Sequence, residues 1–279
     1  MIIVVDSGST KTHLVVLNGR EVVKDCSLLG INPFYQTEND IFRILQEGLG
    51  NSYSEKVSAV YHYGAGCSYP EKKLAVQKAW GRLYQKASVF VESDMLGAAK
   101  SVLGDSCGIA CILGTGANSC YYDGEKIDAN IPPLGFILGD EGSGAYLGKQ
   151  LVANCMKGIY REEVTKAFFS YCKCTAQEIM DKVYKQTLPN RYLASFVPFI
   201  AENIELNEMN DLVLQSFKSF FERNVLLYKR KSCPLGFVGG VALQFKNHLI
   251  KVANSNGFDS IVVLGDPLEG LISYHKQHK

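Results

Sequence analysis

Ile2-Ile-Val-Val-Asp6-Ser7-Gly8-Ser9-Thr10-Lys11-Thr12 is followed at once by the apolar run His13-Leu-Val-Val-Leu17. A strand that ends in an acid, turns on small residues and enters a second strand indicates a β-hairpin, not the strand-to-helix turn of a P-loop. Gly8 allows close approach of a ligand, and consecutive turn N–H groups can bind an anion. Asp6 is placed to hold a metal-bound water beside that anion. Taken alone, the hairpin is equally compatible with an ordinary turn.

Composition and charge exclude several classes of protein. The 279 residues suffice for one large or two medium domains, and 47% hydrophobic with 20% charged residues is ordinary for a globular protein. A net charge of +1 gives no global attraction for nucleic acid or an anionic membrane. No apolar run reaches the roughly 18–20 residues of a membrane span. Nine scattered cysteines are most simply reduced thiols, so we expect a cytoplasmic protein.

Strand and helix patterns occur twice in the same order. Strands at 2–6, 12–17 and 21–28 precede alternating helices and strands, which gives the order βββαβαβα. The order begins again at Gly108-Ile-Ala-Cys-Ile-Leu113, with a helical insertion at about 160–230. This pattern predicts an α/β protein of two duplicated domains, residues 1–104 and 105–266, with a cleft between them. We expect a C-terminal helix, 267–279, to join the first domain.

Two further glycine elements follow strands. Gly114-Thr115-Gly116 follows the first strand of the second half, as Gly8 follows the first strand of the first half. Turns at matched points favour a joint phosphate clamp. Gly239-Gly240 lies between a strand and a helix, which suits the close approach of a flat ring or a phosphate but also an ordinary tight joint. The patterns GxxxxGK[ST] and GxGxxG are absent, which excludes a P-loop and disfavours a dinucleotide fold.

These motifs carry a family resemblance. Asp6-Ser-Gly-Ser-Thr10, Gly114-Thr-Gly116 and Val238-Gly-Gly240 resemble the first phosphate loop, the second phosphate loop and the adenosine motif of the actin/hexokinase ATPase superfamily. Within it, the chain is similar to the N-acetylglucosamine kinases of the BadF/BadG/BcrA/BcrD ATPase group. The segment Gly139-Asp140-Glu141-Gly142-Ser143 closely matches the GDEGS segment of those kinases. The resemblance implies ribonuclease-H-like domains, ATP and Mg²⁺ as cofactors, an amino-sugar substrate and, in many members, a homodimer.

The resemblance also implies roles for single residues. Asp94 in Ser93-Asp94-Met-Leu-Gly97 would be the general base, and Asp6 would hold Mg²⁺ through water. The sugar contacts would be Asn32, Gly66, Asn118 and Asp140. The nucleotide contacts would be Asp6, Gly8, Ser9, Thr10, Lys11, Gly114, Thr115, Gly116, Gly239 and Gly240. The chain has Pro132-Pro133-Leu134-Gly135-Phe136 where the family commonly has Gly-Gly-Trp-Gly, which leaves the sugar open.

Three functions stay open at this point. The first is an ATP-dependent kinase of the 6-hydroxyl of N-acetylglucosamine. The second is an ATPase activator of a radical dehydratase or reductase, whose usual Gly-Gly-Gln-Asp-x-Lys type segment is not found here. The third is a nucleotide or sugar sensor without a base, which the presence of Asp94 disfavours. Structural interpretations compete as well: Asp94 could belong to a helix cap near Ser93, and Glu141 is interpreted as a first-turn acid of a helix.

Overall fold

The computed structural model describes residues 1–8, 10–50, 52–230 and 232–278. The chain forms two compact units. Unit 1 contains Met1–Asp105 together with Asp266–Lys279, and unit 2 contains Ser106–Gly265.

Unit 1 is built on a five-stranded sheet. Its strands are β1 (Ile2–Ser7), β2 (Lys11–Asn18), β3 (Glu21–Leu29), β4 (Ala59–Gly64) and β5 (Ser88–Ser93), in the spatial order β3-β2-β1-β4-β5. Its first helices are α1 (Glu38–Leu49), α2 (Pro70–Leu83) and α3 (Asp94–Leu103). β1 pairs antiparallel with β2 and parallel with β4. As both faces of this central strand are covered, residues 2–5 are buried without alternation, as expected for an inner strand.

Unit 2 repeats this topology. Its sheet has the spatial order β10-β9-β6-β7-β8. As in unit 1, the first three strands in the chain pair antiparallel, and the last two pair parallel. The strands are β6 (Gly108–Leu113), β7 (Ala117–Tyr122), β8 (Ile127–Ile131), β9 (Leu235–Val238) and β10 (Ile261–Leu264). The predicted α/β class and the duplication are therefore confirmed. β7 begins at Ala117, so Asn118, a predicted sugar contact, lies in a strand and not in the preceding turn.

The helices of unit 2 include the predicted insertion. They are α4 (Gly135–Leu138), α5 (Gly144–Met156), α6 (Glu162–Cys172), α7 (Ala176–Tyr184), α8 (Pro189–Ala194), α9 (Val197–Glu202), α10 (Asn207–Arg223), the 3-10 turn Val225–Tyr228, α11 (Gly240–Gln244) and α12 (Lys246–Ser255). Aromatic side chains of the insertion fill the core: Phe168, Phe217, Phe220 and Phe221 are fully buried. Their helical spacing in the sequence reflects this packing.

The helix expected to start near Glu141 begins later. Ser143 is the N-cap of α5, where its Oγ accepts a hydrogen bond of 3.1 Å from the N–H of Tyr146. Asp140 and Gly142 have φ of 57° and 80°, which no right-handed helix accommodates. The interpretation of Glu141 as a first-turn acid is thus wrong. Its carboxylate instead lies 3.0 Å from Nε of Arg223.

Helix α13 (Pro267–Gln277) completes unit 1. Its N-cap, Asp266, accepts a hydrogen bond of 2.9 Å from the N–H of Leu268. Leu268 and Leu271 are buried in the same cluster as Ile2 and Val4 of β1. The last turn of this helix packs against the sheet, because His275 is buried and its Nε2 lies 3.0 Å from the hydroxyl oxygen of Tyr63. Within the described ranges, every helix is too short or too polar to cross a bilayer.

Candidate active site

The first hairpin, residues 7–12, presents exposed polar residues at its tip. The N–H of Gly8 donates a 2.9 Å hydrogen bond to the carbonyl of Lys11, and Thr10 and Lys11 are exposed. A Cβ at Gly8 would make only ordinary contact, 3.5 Å from the Lys11 carbonyl oxygen. The folded turn therefore does not itself require glycine, which favours close approach of a ligand as the reason for it. Ser9, a predicted phosphate contact, lies outside the described residues.

Two acids of unit 1 repel each other electrostatically. Asp6 is near the end of β1, and Asp94 is the first residue of α3, directly after its N-cap Ser93. Burial, together with the charges of Asp266 and Asp94, raises the pKa of Asp6 to about 7. Burial also raises the pKa of Asp94, although its Oδ1 accepts a 2.8 Å hydrogen bond from the N–H of Met95. A cation placed near these carboxylates would relieve their repulsion.

The donor set fits a magnesium ion that keeps much of its water. Over the described ranges, no three His, Cys, Asp or Glu side chains lie together as a protein metal cage. Mg²⁺ commonly binds one or two carboxylates and takes its remaining ligands from water and substrate phosphate. Asp6, ionised by such a cation and close to the first hairpin, suits that mode of binding. The role of Asp6 as a water-mediated ligand stays a prediction.

Asp266 is a member of this acidic group that the sequence did not reveal. His13 lies between two carboxylates, with Nδ1 2.6 Å from Oδ2 of Asp266 and Nε2 2.7 Å from Oδ1 of Asp25. Burial alone would lower the pKa of His13, but the hydrogen bonds to Asp266 and Asp25 raise it overall. A protonated His13 then offsets negative charge beside Asp6. No sequence signal links residues so far apart in the chain.

The two predicted sugar-binding residues of unit 1 lie in contact. Gly66 has φ of 79°, and a Cβ there would lie 2.3 Å from Oδ1 of Asn32. Oδ1 of Asn32 also accepts a 3.0 Å hydrogen bond from the N–H of Phe34, which fixes the side chain. Glycine at position 66 is thus required both by its backbone conformation and by the packed amide. The fold brings together the loop Gly30–Asn32, called here the Asn32 loop, and the loop Gly64–Cys67.

A cavity of about 590 Å³ in unit 2 joins the two predicted nucleotide elements of this unit. Gly114 and Thr115 of the second hairpin, residues 113–117, line it together with Gly240. The remaining lining residues come from α5, the helical insertion and α11: Gly144, Ala194, Val197, Pro198, Ala201, Glu202, Val241 and Gln244. A pocket of a few hundred cubic ångströms suits a small organic ligand.

Gly239 holds the second hairpin against the strand-to-helix joint. Its φ is 120°, and a Cβ there would lie 2.3 Å from the carbonyl oxygen of Leu113. At Gly240 a Cβ would meet nothing within 4 Å. Close backbone contact thus explains the first glycine, whereas the second leaves open space beside the cavity.

Asp140 stabilises the second hairpin by a hydrogen bond to its last residue, Ala117. In its left-handed conformation it accepts a 3.3 Å hydrogen bond at Oδ1 from the N–H of Ala117. Burial raises its pKa to about 6. Asn118 is held within its own sheet, since its Oδ1 accepts from the N–H of Ser119 and from Nδ2 of Asn130. Gly116, which approaches Asp140, is not among the residues that line the cavity.

Asp140→Asn is expected to stabilise the protein at neutral pH. Because the folded-state pKa of Asp140 lies above that of the unfolded chain, near 3.8, the folded state loses stability as pH rises from about 4 through about 6. Asparagine keeps an acceptor for Ala117 without the charge. We expect Tm at pH 7.5 to rise by several degrees, with a difference that vanishes near pH 3.5. Thermal unfolding of both proteins at the two pH values checks this.

The exposed Asp128 provides the matched control, because Asp128→Asn should leave Tm unchanged at both pH values. A Tm of Asp140→Asn below that of the wild type at pH 7.5 would contradict the prediction and assign the ionised carboxylate a structural role.

Comparison with known proteins reveals relatives among solved structures. Neither a family model nor a curated protein matches the chain. A proposed N-acetylglucosamine kinase from Porphyromonas gingivalis has 42% sequence identity and a TM-score of 0.95, with 99% of each chain covered. Two more distant structures show the fold alone. They are a proposed N-acetylglucosamine kinase from Chromobacterium violaceum (17% identity, TM-score 0.73, 98% of each chain) and the ROK hexokinase from Thermus thermophilus (15%, 0.57, 100% of this chain and 99% of that one).

The identity to the Porphyromonas protein extends over the whole chain and accompanies the same fold. The chain therefore belongs to the N-acetylglucosamine kinase-like family of ATP-dependent phosphotransferases, and it has the fold of the actin/hexokinase ATPases.

Proposed function

We propose that this protein is an ATP-dependent sugar kinase that phosphorylates the 6-hydroxyl of N-acetylglucosamine. The observation that carries the proposal is the cavity of unit 2, where the second hairpin and the Gly239-Gly240 joint surround one space. The Porphyromonas relative, a proposed N-acetylglucosamine kinase, supports the choice of sugar. In unit 1, the contact between Asn32 and Gly66 supports a binding site for a polar substrate.

The nucleotide would be held by backbone groups. In this proposal the adenosine occupies the cavity beside Gly239 and Gly240, and the phosphates contact the N–H groups of the two hairpins. Phosphoryl transfer depends on positioning and charge neutralisation more than on covalent catalysis, which suits amide-lined turns. The residues proposed for phosphate are Gly8, Ser9, Thr10, Lys11, Gly114, Thr115 and Gly116. Mg²⁺, held by Asp6 through water, would supply charge neutralisation at the phosphates.

Asp94 would act as the general base. The sugar hydroxyl oxygen attacks the γ-phosphorus, its proton passes to the carboxylate of Asp94, and the bond to the β,γ-bridging oxygen breaks to release ADP. A raised pKa brings the basicity of this carboxylate closer to the operating pH than that of an exposed Asp. Its position as the first residue of α3 leaves it at the carboxyl end of β5. We propose Asn32, Gly66, Asn118 and Asp140 as contacts of the sugar hydroxyl groups.

The segment that departs from the family pattern adjoins one of these contacts. The N–H of Asp140 donates a 3.2 Å hydrogen bond to the carbonyl of Pro133. Leu134 and Gly135 next to it have φ of 62° and 73°, so the backbone of this segment turns through two consecutive left-handed residues. Selectivity among amino sugars is thus expected to depend on residues 132–136.

Kinetics with a panel of sugars test the proposed function. Purified protein with Mg-ATP is given N-acetylglucosamine, N-acetylmannosamine, glucosamine and glucose, and ADP release is measured in a coupled assay. We expect the highest kcat/KM for N-acetylglucosamine, with a 6-phosphate product identified by phosphorus NMR. The variant Asp94→Asn, prepared in parallel, reports any contaminating kinase. Failure to phosphorylate any sugar of the panel would overturn the proposal. Sedimentation of the same sample tests the predicted homodimer.

A further inference from the structure

Two hydroxyl side chains close the base of the first hairpin. Ser7 is the last residue of β1 and pairs with Thr12 of β2, and both residues are fully buried. Their hydroxyl oxygens lie 2.7 Å apart. A buried hydroxyl destabilises a fold unless it is hydrogen-bonded, so such a pair needs further partners.

The partner of both hydroxyls is the backbone of Ile31. Oγ of Ser7 donates a 2.9 Å hydrogen bond to the carbonyl of Ile31. The N–H of Ile31 donates in return, at 3.2 Å to Oγ of Ser7 and at 3.1 Å to Oγ1 of Thr12. Because the proton of Ser7 is used for the carbonyl, Thr12 must be the donor in the Ser7–Thr12 hydrogen bond. The network then satisfies both hydroxyl protons and both backbone groups of Ile31.

This network joins the first hairpin to the Asn32 loop and to the loop Gly64–Cys67. The N–H of Gly30 donates to the carbonyl of Thr10 at 3.1 Å, beside the Ile31 contacts. On the other side, the N–H of Ala65 donates to the carbonyl of Ser7 at 2.7 Å. Asn32 directly follows Ile31, and Gly66 directly follows Ala65. The two residues of unit 1 that we propose to contact the sugar are thus each one peptide away from a hydrogen bond to Ser7.

We propose that Ser7 and Thr12 are positioning residues that couple sugar binding to nucleotide binding. Because both side chains are fully buried, neither hydroxyl contacts a substrate in this proposal. Phosphate bound at the tip of the hairpin fixes residues 7–12, and the hydroxyl pair transmits that position to Ile31 and so to Asn32. A sugar bound at Asn32 fixes the same hairpin, so each ligand strengthens the binding of the other. The inference rests on the proposed kinase function.

Thr12→Val tests the coupling. Valine keeps the shape and the β-branch suited to a strand but removes the hydroxyl, and Ile31 retains Ser7 as an acceptor. Calorimetry measures the affinity for N-acetylglucosamine with and without a saturating, non-hydrolysable Mg-ATP analogue. We expect a wild-type ratio of about fivefold or more, which falls towards one in the variant. The Kd of each ligand measured alone should stay within about threefold of the wild-type value. We expect kcat to fall by about tenfold or more, because the reacting 6-hydroxyl of the sugar is misplaced.

Further variants separate coupling from general stability. Ser7→Ala should reproduce the loss, and Thr12→Ser, which keeps the hydroxyl, should restore both coupling and kcat. The control is Ser216→Ala in α10, another buried serine, whose Oγ has no hydrogen-bond partner among the described residues. It should leave the ratio and kcat unchanged.

The outcomes are distinguishable from those of the proposed function. Wild-type turnover is measured first, and its absence with every sugar overturns both proposals. Wild-type turnover with a ratio near one, or with a ratio that Thr12→Val and Ser7→Ala leave unchanged, overturns the coupling alone. A variant that loses stability but keeps the wild-type ratio overturns it as well, because a merely structural role predicts that result.

Discussion

Asp94→Asn is expected to lower kcat by about 10²–10⁴-fold, while the Kd of an Mg-ATP analogue stays within about threefold of the wild-type value. Asparagine cannot accept the proton of the attacking hydroxyl, but it can still accept the hydrogen bond from the N–H of Met95. Steady-state kinetics with N-acetylglucosamine and calorimetry with the nucleotide analogue make the comparison. A kcat within tenfold of wild type would remove Asp94 from the role of general base.

Thermal unfolding of this variant distinguishes a loss of chemistry from misfolding. Because the pKa of Asp94 is raised in the folded state, its ionisation weakens folding as pH rises, and a neutral asparagine avoids that loss. Tm of Asp94→Asn at pH 7.5 should therefore equal or exceed that of the wild type. The wild-type rate itself should increase with pH through the raised pKa, since only the ionised carboxylate accepts a proton.

A neighbouring acid serves as the matched control for activity. Glu92 lies near the end of β5, two residues before Asp94, and its carboxylate forms an ion pair with Lys73. Such partly exposed pairs contribute about 0–1 kcal/mol to stability. Glu92→Gln should therefore keep kcat within about threefold of wild type.

Gly239→Ala is expected to disrupt unit 2 and its nucleotide cavity. A methyl group there would lie 2.3 Å from the backbone oxygen of Leu113, in a backbone conformation that L-residues rarely adopt. Overpacking and backbone strain together should lower the free energy of unfolding by about 3–5 kcal/mol. Relief of the clash separates the joint from the second hairpin, so nucleotide affinity should fall at least about tenfold. Chemical denaturation and nucleotide titration measure the two effects.

Gly240→Ala is the matched control for that experiment. It adds the same methyl group one residue later, where nothing lies within 4 Å and where α11 begins. Stability should change by less than about 0.5 kcal/mol, as for substitutions without new contacts. If Gly239→Ala proved as stable as Gly240→Ala, close packing of the joint against Leu113 would not explain the first glycine.

Local patterns made most of the fold predictable. The strand at 108–113 has the predicted bounds, and the C-terminal helix expected at 267–279 begins at Pro267 and ends at Gln277, because both are continuous apolar or periodic segments beside clear turn residues. The helix expected near Glu141 begins at Gly144 instead, because the left-handed conformation of Asp140 is not evident from residue type alone. Local propensity does not encode such backbone conformations when the residue is not glycine.

Contacts between distant segments could not be predicted. Asp266 influences Asp6 only because the fold places the cap of α13 beside His13. The pairing of Ser7 and Thr12 follows from the hairpin, but their hydrogen bonds to Ile31 depend on the path of a later loop. Likewise, the contact of Gly66 with Asn32 needs β4 to lie beside β1. The sequence motifs thus indicated the candidate site residues. The hydrogen bonds and contacts that connect these residues depend on tertiary packing and could not be predicted.

Helix α13 has a consequence for the order in which the two units fold during synthesis. Its leucines, Leu268 and Leu271, pack in one cluster with Ile2 and Val4, which are synthesised before unit 2. A Cβ at Gly270 would lie 2.0 Å from the carbonyl oxygen of Ser101, so the helix packs closely on α3. Until the ribosome has translated all of unit 2, this face of the first sheet lacks the part of its cover that α13 supplies. The continuous unit 2 can therefore complete its core first, and unit 1, which needs α13, finishes folding after it.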